Sequence, residues 1–153
     1  HRAMLDAPSA RRPYPGDDYV LEFGRAATAR EGSALTIITW GSMLERCEAA
    51  AEASGASVEI LDLRTLMPFD KAAIFRSLDK TSRVLVVHED VKTLGLGAEL
   101  SAVIMEEKFD ALDAPVLRVT YPDTHAPFSH VLEAYNLPNA DKITDALRKL
   151  VAY

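Results

Sequence analysis

From Tyr19 onward, short apolar runs alternate with stretches whose apolar residues recur every three or four positions. Residues 34–40 form the first run, and Ile37, Ile38 and Thr39 give it the β-branched stiffness of a strand. Gly41 then turns the chain. Ser42 and Glu45, three apart, match a capping box. Met43, Leu44, Cys47, Ala50 and Ala51 follow at helical spacing, and Gly55 supplies the stop. A second strand is predicted over residues 57–63. Asp70 caps the next helix, with Phe69 placed to staple onto Ile74 and Leu78 continuing that face. Residues 83–88 hold Val84, Leu85, Val86 and Val87 without interruption, which suits a strand covered on both faces. A helix over about residues 97–109 turns Leu100, Val103, Ile104 and Phe109 inward. A fourth main strand covers residues 116–121 and a helical turn residues 128–135. The last helix, residues 140–151, carries an inward stripe of Ile143, Ala146, Leu147 and Leu150.

Strand and helix in regular alternation predict an α/β chain. The expected architecture is a three-layer α/β/α sandwich with a mixed, mostly parallel sheet of about five strands. Residues 19–28 add an edge strand or hairpin. Residues 1–18 contain Pro8, Pro13, Pro15 and Gly16 with Arg2, Arg11 and Arg12 and no apolar period, so they read as an extended arm or linker from a preceding domain. Residues 19–153 are the domain proper. The chain opens on His1 instead of Met, as expected of a piece of a longer polypeptide.

Length and charge narrow the function. With 153 residues and a formal net charge of −6, the chain builds one core and lacks the basic stripe of a nucleic-acid binder. Cys47 is the lone cysteine, so no disulfide framework is possible, and a cytoplasmic setting is expected. No apolar run approaches the roughly 20 residues of a membrane-spanning helix, and no signal peptide opens the chain.

Ligands of open α/β sheets bind outside the carboxyl ends of the strands. The residues expected there are Ser42, Asp62 with Arg64, His88 with Glu89 and Asp90, and Asp123 with His125. Trp40 and Leu44 crowd Ser42 too much for a hydrolase elbow, which leaves it as a helix cap. Gly95 and Gly97 open a helix as a dinucleotide fingerprint does, yet Leu100 replaces the third glycine and Glu99 opposes a phosphate. Close packing of helix on sheet explains the two glycines; the alternative is a free-standing flavodoxin-like nucleotide- or phosphate-binding module. His88, Glu89, Asp123 and His125 would serve a metal hydrolase if they converged. Otherwise His88 ends its strand with a locally hydrogen-bonded ring, His125 belongs to a polar loop, and His130 faces solvent. Asp62 and Arg64 are expected to form a structural ion pair tying a strand end to its neighbour. Arg118, inside an apolar strand, calls for a carboxylate partner or an interface.

Several segments together identify a family resemblance. The run from Asp62 through Arg64 and Pro68 to Asp70 resembles the D-L-R-T-L-x-P-x-D segment of E1 beta subunits of 2-oxoacid dehydrogenase complexes. Val86-Val87-His88-Glu89 resembles their V-V-H-E strand end, and Gly95-Leu96-Gly97-Ala98-Glu99 their G-x-G-A-E helix start. Leu112-Asp113-Ala114-Pro115-Val116 with Arg118-Val119-Thr120 resembles L-D-A-P-V-x-R-V-T, and Asp123-Thr124, Pro127 and Leu137-Pro138 continue in order. Leu94, Tyr121-Pro122 and His125 depart from the usual pattern. The resemblance implies the C-terminal, transketolase-like domain of a thiamine-diphosphate-dependent enzyme. Thiamine diphosphate and Mg²⁺ then belong to other domains, and this chain carries no catalytic, cofactor or metal residue. It implies an assembly role with an E1 alpha subunit or domain, a second E1 beta copy and the subunit-binding domain of E2. Asp113 and Tyr153 would meet E2, while Asp62, Arg64, His88, Glu89 and Arg118 would be structural or interface residues. The equivalent domain of transketolase or deoxyxylulose-phosphate synthase is the variant reading.

Overall fold

The structure, a computed structural model, describes residues 2–5, 8 and 11–153. After a four-residue helix, α1 (Arg2–Leu5), the elements are β1 (Ala27–Arg30), β2 (Leu35–Thr39), α2 (Met43–Ser54), β3 (Val58–Asp62), α3 (Lys71–Thr81) and β4 (Val84–Val91). They continue with α4 (Leu96–Lys108), a 3₁₀ turn at Phe109–Ala111, β5 (Leu117–Tyr121), α5 (His130–Asn136) and α6 (Ala140–Val151). The strands form one sheet in the order β1-β3-β2-β4-β5. β3, β2, β4 and β5 run parallel, and β1 joins β3 antiparallel with a register shift between Thr28 and Arg30. The expected mixed, mostly parallel five-strand sheet is thus present. Of the predicted 19–28 region only Ala27 and Thr28 lie in a strand, the edge strand β1 that continues to Arg30, and α1 gives the proposed arm a helical turn. Positions 1, 6, 7, 9 and 10 of that arm lie outside the described residues.

Each face of the sheet has its own core. Leu35, Ile37, Ile60, Leu85 and Val87 pack against Met43, Cys47 and Ala51 of α2 and against Ile143, Leu147 and Leu150 of α6. Ile38, Leu61, Val84 and Val86 point the other way, onto Ile74 and Leu78 of α3 and Leu100 and Ile104 of α4. Alternate residues of a strand face opposite sides, so a continuous apolar run serves two layers. Phe69 joins Ile74 in the second cluster, as the staple requires. Burial pushes the Cys47 thiol up to about 12, which keeps it protonated and inert.

A buried polar network also ties α3 to the sheet. Ser77 donates to Glu59 Oε1, Lys80 Nζ pairs with Glu59 Oε2, and Thr36 bonds both Ser77 and Thr81. Asp70 caps α3 by accepting from the Ala73 N–H at 2.9 Å, and its second oxygen accepts from the Ala26 N–H at 3.1 Å.

Two local expectations fail. Ser42 sits in the right-handed helical region (φ −66°, ψ −16°) and makes no capping bond; its buried Oγ has no hydrogen-bond partner among the described residues. A cap residue needs extended backbone to turn its oxygen onto the next N–H groups, and the Gly41 turn (φ 62°) delivers Ser42 already coiled. Phe109, predicted inward, is 66% exposed because α4 ends at Lys108 and the 3₁₀ turn rotates the next residues off the helical face.

Candidate functional site

The carboxyl edge of the sheet centres on His88. The side chain is fully buried, and β4 runs three residues beyond it. Trp40, at the end of β2, lies flat on the imidazole with ring centroids 5.1 Å apart and planes at 10°. Gly97 covers the ring from α4: a Cβ there would come within 2.3 Å of Nε2. A Cβ on Gly95 would lie 2.2 Å from the Val91 carbonyl oxygen and 3.0 Å from His88 Cε1. The two glycines therefore allow helix, loop and ring to approach closely, as one reading of the sequence holds. The expected local hydrogen bond to His88 is missing; neither ring nitrogen has a partner among the described residues. Burial holds the His88 pKa below its ordinary value; Asp90 opposes that shift and Arg118 adds to it. The site is built to hold a neutral ring.

The other edge residues do not join His88. Asp123 accepts from the Thr93 N–H at 2.8 Å and from Thr93 Oγ1 at 2.6 Å, bonds that hold its carboxyl below the usual range. His125 and Asp123 are exposed, and Glu89 is half-buried. Among the described residues no group of three or more His, Cys, Asp or Glu is placed to hold a metal ion. Among the described residues His88, Glu89, Asp123 and His125 form no such group, so they do not converge as a metal hydrolase would require. His130 is fully exposed, 3.8 Å from Glu133, in line with the solvated face expected of it.

Asp62 and Arg64 do meet, but locally. The Arg64 N–H donates to Asp62 Oδ1 at 3.1 Å, its Nε lies 4.0 Å from Oδ2, and Arg64 adopts φ 56°. The pair closes its own turn after β3 instead of tying it to a neighbouring strand. Burial raises the Asp62 pKa, with the Arg64 N–H and charge pulling the other way. Arg118 is half-buried on edge strand β5. Its guanidinium donates to the Lys92 carbonyl at 2.9 Å, a main-chain oxygen in place of the expected carboxylate. The β4–β5 register breaks between Val87 and Val91, and beyond that break the Lys92 carbonyl lies within reach.

Two grooves flank β5. The larger, about 600 Å³, lies between α4 and the chain entering β5; Ser101, Met105, Phe109, Asp113, Arg118 and Tyr153 line it. The Asp113 N–H donates to the Ser82 carbonyl at 2.8 Å, which anchors this exposed residue at the groove. Asp113 and Tyr153, forty positions apart, thus share one surface. The second groove, about 370 Å³, lies at the other end of β5, lined by Lys92, Arg118, Thr120, Tyr135, Asn136 and Lys142. Lys142 Nζ donates to the Tyr135 and Leu137 carbonyls at the end of α5, the latter at 3.2 Å. Trp40, Lys92 and Lys142 carry no motif. Only their positions after β2, after β4 and at the start of α6 point to this edge.

A parallel-sheet α/β/α domain with a glycine-packed ring at its carboxyl edge and grooves along its edge strand is the class these features define. The model of the transketolase C-terminal domain matches residues 24–143, and the chain belongs to that family. Subunit beta 2 of mitochondrial 2-oxoisovalerate dehydrogenase from Arabidopsis thaliana is 44% identical over 142 residues, which is 91% of this chain and 39% of the relative. The pyruvate dehydrogenase E1 component subunit beta of Bacillus subtilis is 40% identical over 148 residues, 95% of this chain and 45% of that one. Among solved structures, a split-gene transketolase described as an inactive beta4 tetramer superposes with a TM-score of 0.75 at 27% identity, over 90% of this chain and 44% of the other. The chain spans about two fifths of the length of the curated relatives it matches. The similarity to E1 beta subunits agrees with the motif resemblance.

Proposed function

We propose that this chain is the C-terminal assembly domain of the E1 component of a 2-oxoacid dehydrogenase complex. The whole enzyme would oxidatively decarboxylate a 2-oxoacid on thiamine diphosphate and pass the acyl group to the lipoyl arm of E2, in a cytoplasmic setting. The cofactor and its Mg²⁺ sit in other domains, and this chain alone is catalytically silent. Its own work is to hold the E1 alpha subunit or domain and a second E1 beta copy in place and to dock the subunit-binding domain of E2. The observation that carries this reading is the convergence of Asp113 and Tyr153 on the larger β5 groove. The groove has apolar walls and a carboxylate at its rim, which suit a basic domain that buries an apolar anchor. The net charge of −6 favours the same encounter. Identities of 44% and 40% to dehydrogenase beta subunits, against 27% to the split-gene transketolase, favour this reading over a transketolase.

Titration calorimetry with an isolated E2 subunit-binding domain tests it. The wild-type chain is expected to bind, and Asp113→Arg to weaken binding at least tenfold. Equal affinity for the two would remove the groove from the account. Titration of the chain with thiamine diphosphate and Mg²⁺ is expected to show no saturable heat; micromolar binding would overturn the division of labour.

A further inference from the structure

The cleft at the carboxyl end of β5 gathers cations from three places: Lys92 from the loop after β4, Arg118 from β5 and Lys142 from the start of α6. No carboxylate lines it, in a chain whose net charge is −6. Asp123, whose carboxyl feels the Lys92 charge, lies outside the lining and is engaged by both Thr93 bonds. Arg118 and Lys142 are held by main-chain carbonyls, dipoles that fix the side chains and leave their charge unneutralised. Like charges gathered in this way repel one another, and the low-dielectric walls of a cleft focus their field. An anion in the cleft removes that cost.

Each cation has its own part. Arg118 and Thr120 alternate with Val119, so they share one side of β5. One Arg118 nitrogen donates to the Lys92 carbonyl at 2.9 Å, and the rest of the guanidinium is a fork that fits two oxygens of one group. Lys92 is exposed at the rim, on a flexible stem that can fold over a ligand held by Arg118. Lys142 spends its donors on the Tyr135, Asn136 and Leu137 carbonyls, so it supplies a fixed charge in place of a hydrogen bond. Helix α5 buries none of its residues, and its apolar stripe of Phe128, Val131, Leu132 and Tyr135 faces solvent. The Tyr135 ring therefore stands open beside the cleft, with the Lys142 ammonium 5.2 Å from its centroid.

We propose that this cleft binds the phosphoryl group of a small molecule, a dianion gripped by Arg118 and Lys92 in the field of Lys142. Its volume of about 370 Å³ suits such a ligand, since small-molecule sites start at roughly 300 Å³. Charge selects this occupant over a carboxylate side chain from another stretch of polypeptide. One carboxylate offsets one of three positive charges. A phosphoryl group carries about −1.5 to −2 near pH 7 and offers three acceptor oxygens. Val119, Pro122 and Tyr135 give the organic remainder an apolar wall. The site stands apart from E2 docking, because Asp113 and Tyr153 line the other groove.

The test is titration calorimetry on the full-length polypeptide with inorganic phosphate, glycerol 3-phosphate or acetate, in about 0.15 M chloride at about pH 8. Both phosphate probes are expected to bind saturably, and acetate at least tenfold more weakly. Lys92→Gln should weaken phosphate binding at least threefold. Arg118→Lys, which keeps the charge and loses the fork, should weaken it at least fivefold. Circular dichroism checks both folds, and the exposed Lys92 still reads the site if Arg118→Lys unfolds. Tighter binding of glycerol 3-phosphate identifies a phosphomonoester and tighter binding of inorganic phosphate the free ion; either supports the site. A wild-type protein that binds no phosphate overturns the inference. So does acetate binding as tightly as phosphate, which would give the cleft to a protein carboxylate. Full-strength binding in every folded variant places the anion elsewhere and overturns it too. Binding of the E2 domain should stay within twofold in Lys92→Gln, so failure of either reading leaves the other standing.

Discussion

Trp40 stacks on His88 at 5.1 Å across the ends of β2 and β4, and this contact sets the carboxyl edge of the sheet. The imidazole has an indole stacked on it and glycine backbone close to its Nε2 and Cδ2 atoms, with its nitrogens unpartnered among the described residues. Such a slot favours the uncharged ring, because an imidazolium there would lose its hydration without gaining an acceptor.

Stability is therefore expected to fall as pH drops below about 6.5. The unfolded chain takes up a proton at its ordinary His pKa, whereas the folded ring, held lower by burial, does not. The unfolded state then binds more protons, and linkage gives stability that rises with pH in this window. Asp90 and Arg118 act on the ring with opposite signs and set how far the folded value moves. Urea unfolding at pH 7.5 and 5.5 should show a larger loss for wild type than for His88→Leu; equal losses would remove His88 as the cause.

Gly97→Ala should destabilise the domain by about 1–3 kcal/mol, the usual cost of forcing a methyl into a packed site. Its Cβ would overlap His88 Nε2 at 2.3 Å and Cδ2 at 2.7 Å. Combining it with His88→Ala should recover most of that loss, since the clash and its target vanish together. Additive losses in thermal unfolding would mean that the helix, not the ring, opposes the methyl.

Glu59→Ala removes the acceptor shared by Ser77 and Lys80 and should cost about 1–3 kcal/mol. Burial alone would raise the Glu59 pKa, but the Lys80 and Ser77 hydrogen bonds together hold it below its ordinary value. A carboxylate so depressed contributes stability at pH above its unfolded value, lost as pH falls through the folded value. Acid unfolding of wild type should accordingly show a component below about pH 4.5 that Glu59→Gln lacks.

Asp70→Ala should lower stability by about 1–2 kcal/mol, because the cap of α3 and the tie to Ala26 disappear together. Hydrogen exchange should quicken at both the Ala73 and Ala26 amides. Acceleration at Ala73 alone would show that Asp70 does not restrain the segment before β1.

Most elements were legible because their causes are local. Residues 34–40 contain β2 (Leu35–Thr39), and the last helix, 140–151, matches α6 end to end. Asp70 was readable as a cap because its acceptor meets an N–H three residues away. Ser42 and Glu45 show the same spacing, yet the positive φ of Gly41 placed Ser42 in helical backbone and left the Ser42 side chain without a capping bond. The partners of the site residues were less legible. Nothing near His88 in the chain marks Trp40, 48 positions earlier, as its neighbour, nor Lys92 as the source of the carbonyl that takes Arg118.

Read alone, the amino-acid order determined which segments coil and which extend, the two-faced parallel sheet, the glycines that let α4 close on it, and the family. All of these follow from period, turn chemistry and motif, which act over a few bonds. The tertiary structure alone decided that His88 is stacked and unbonded, that Asp113 and Tyr153 share a groove, and that the apolar stripe of α5 faces solvent. Those outcomes depend on which side chains distant strands bring within a few ångströms, and no local pattern of residues encodes that distance.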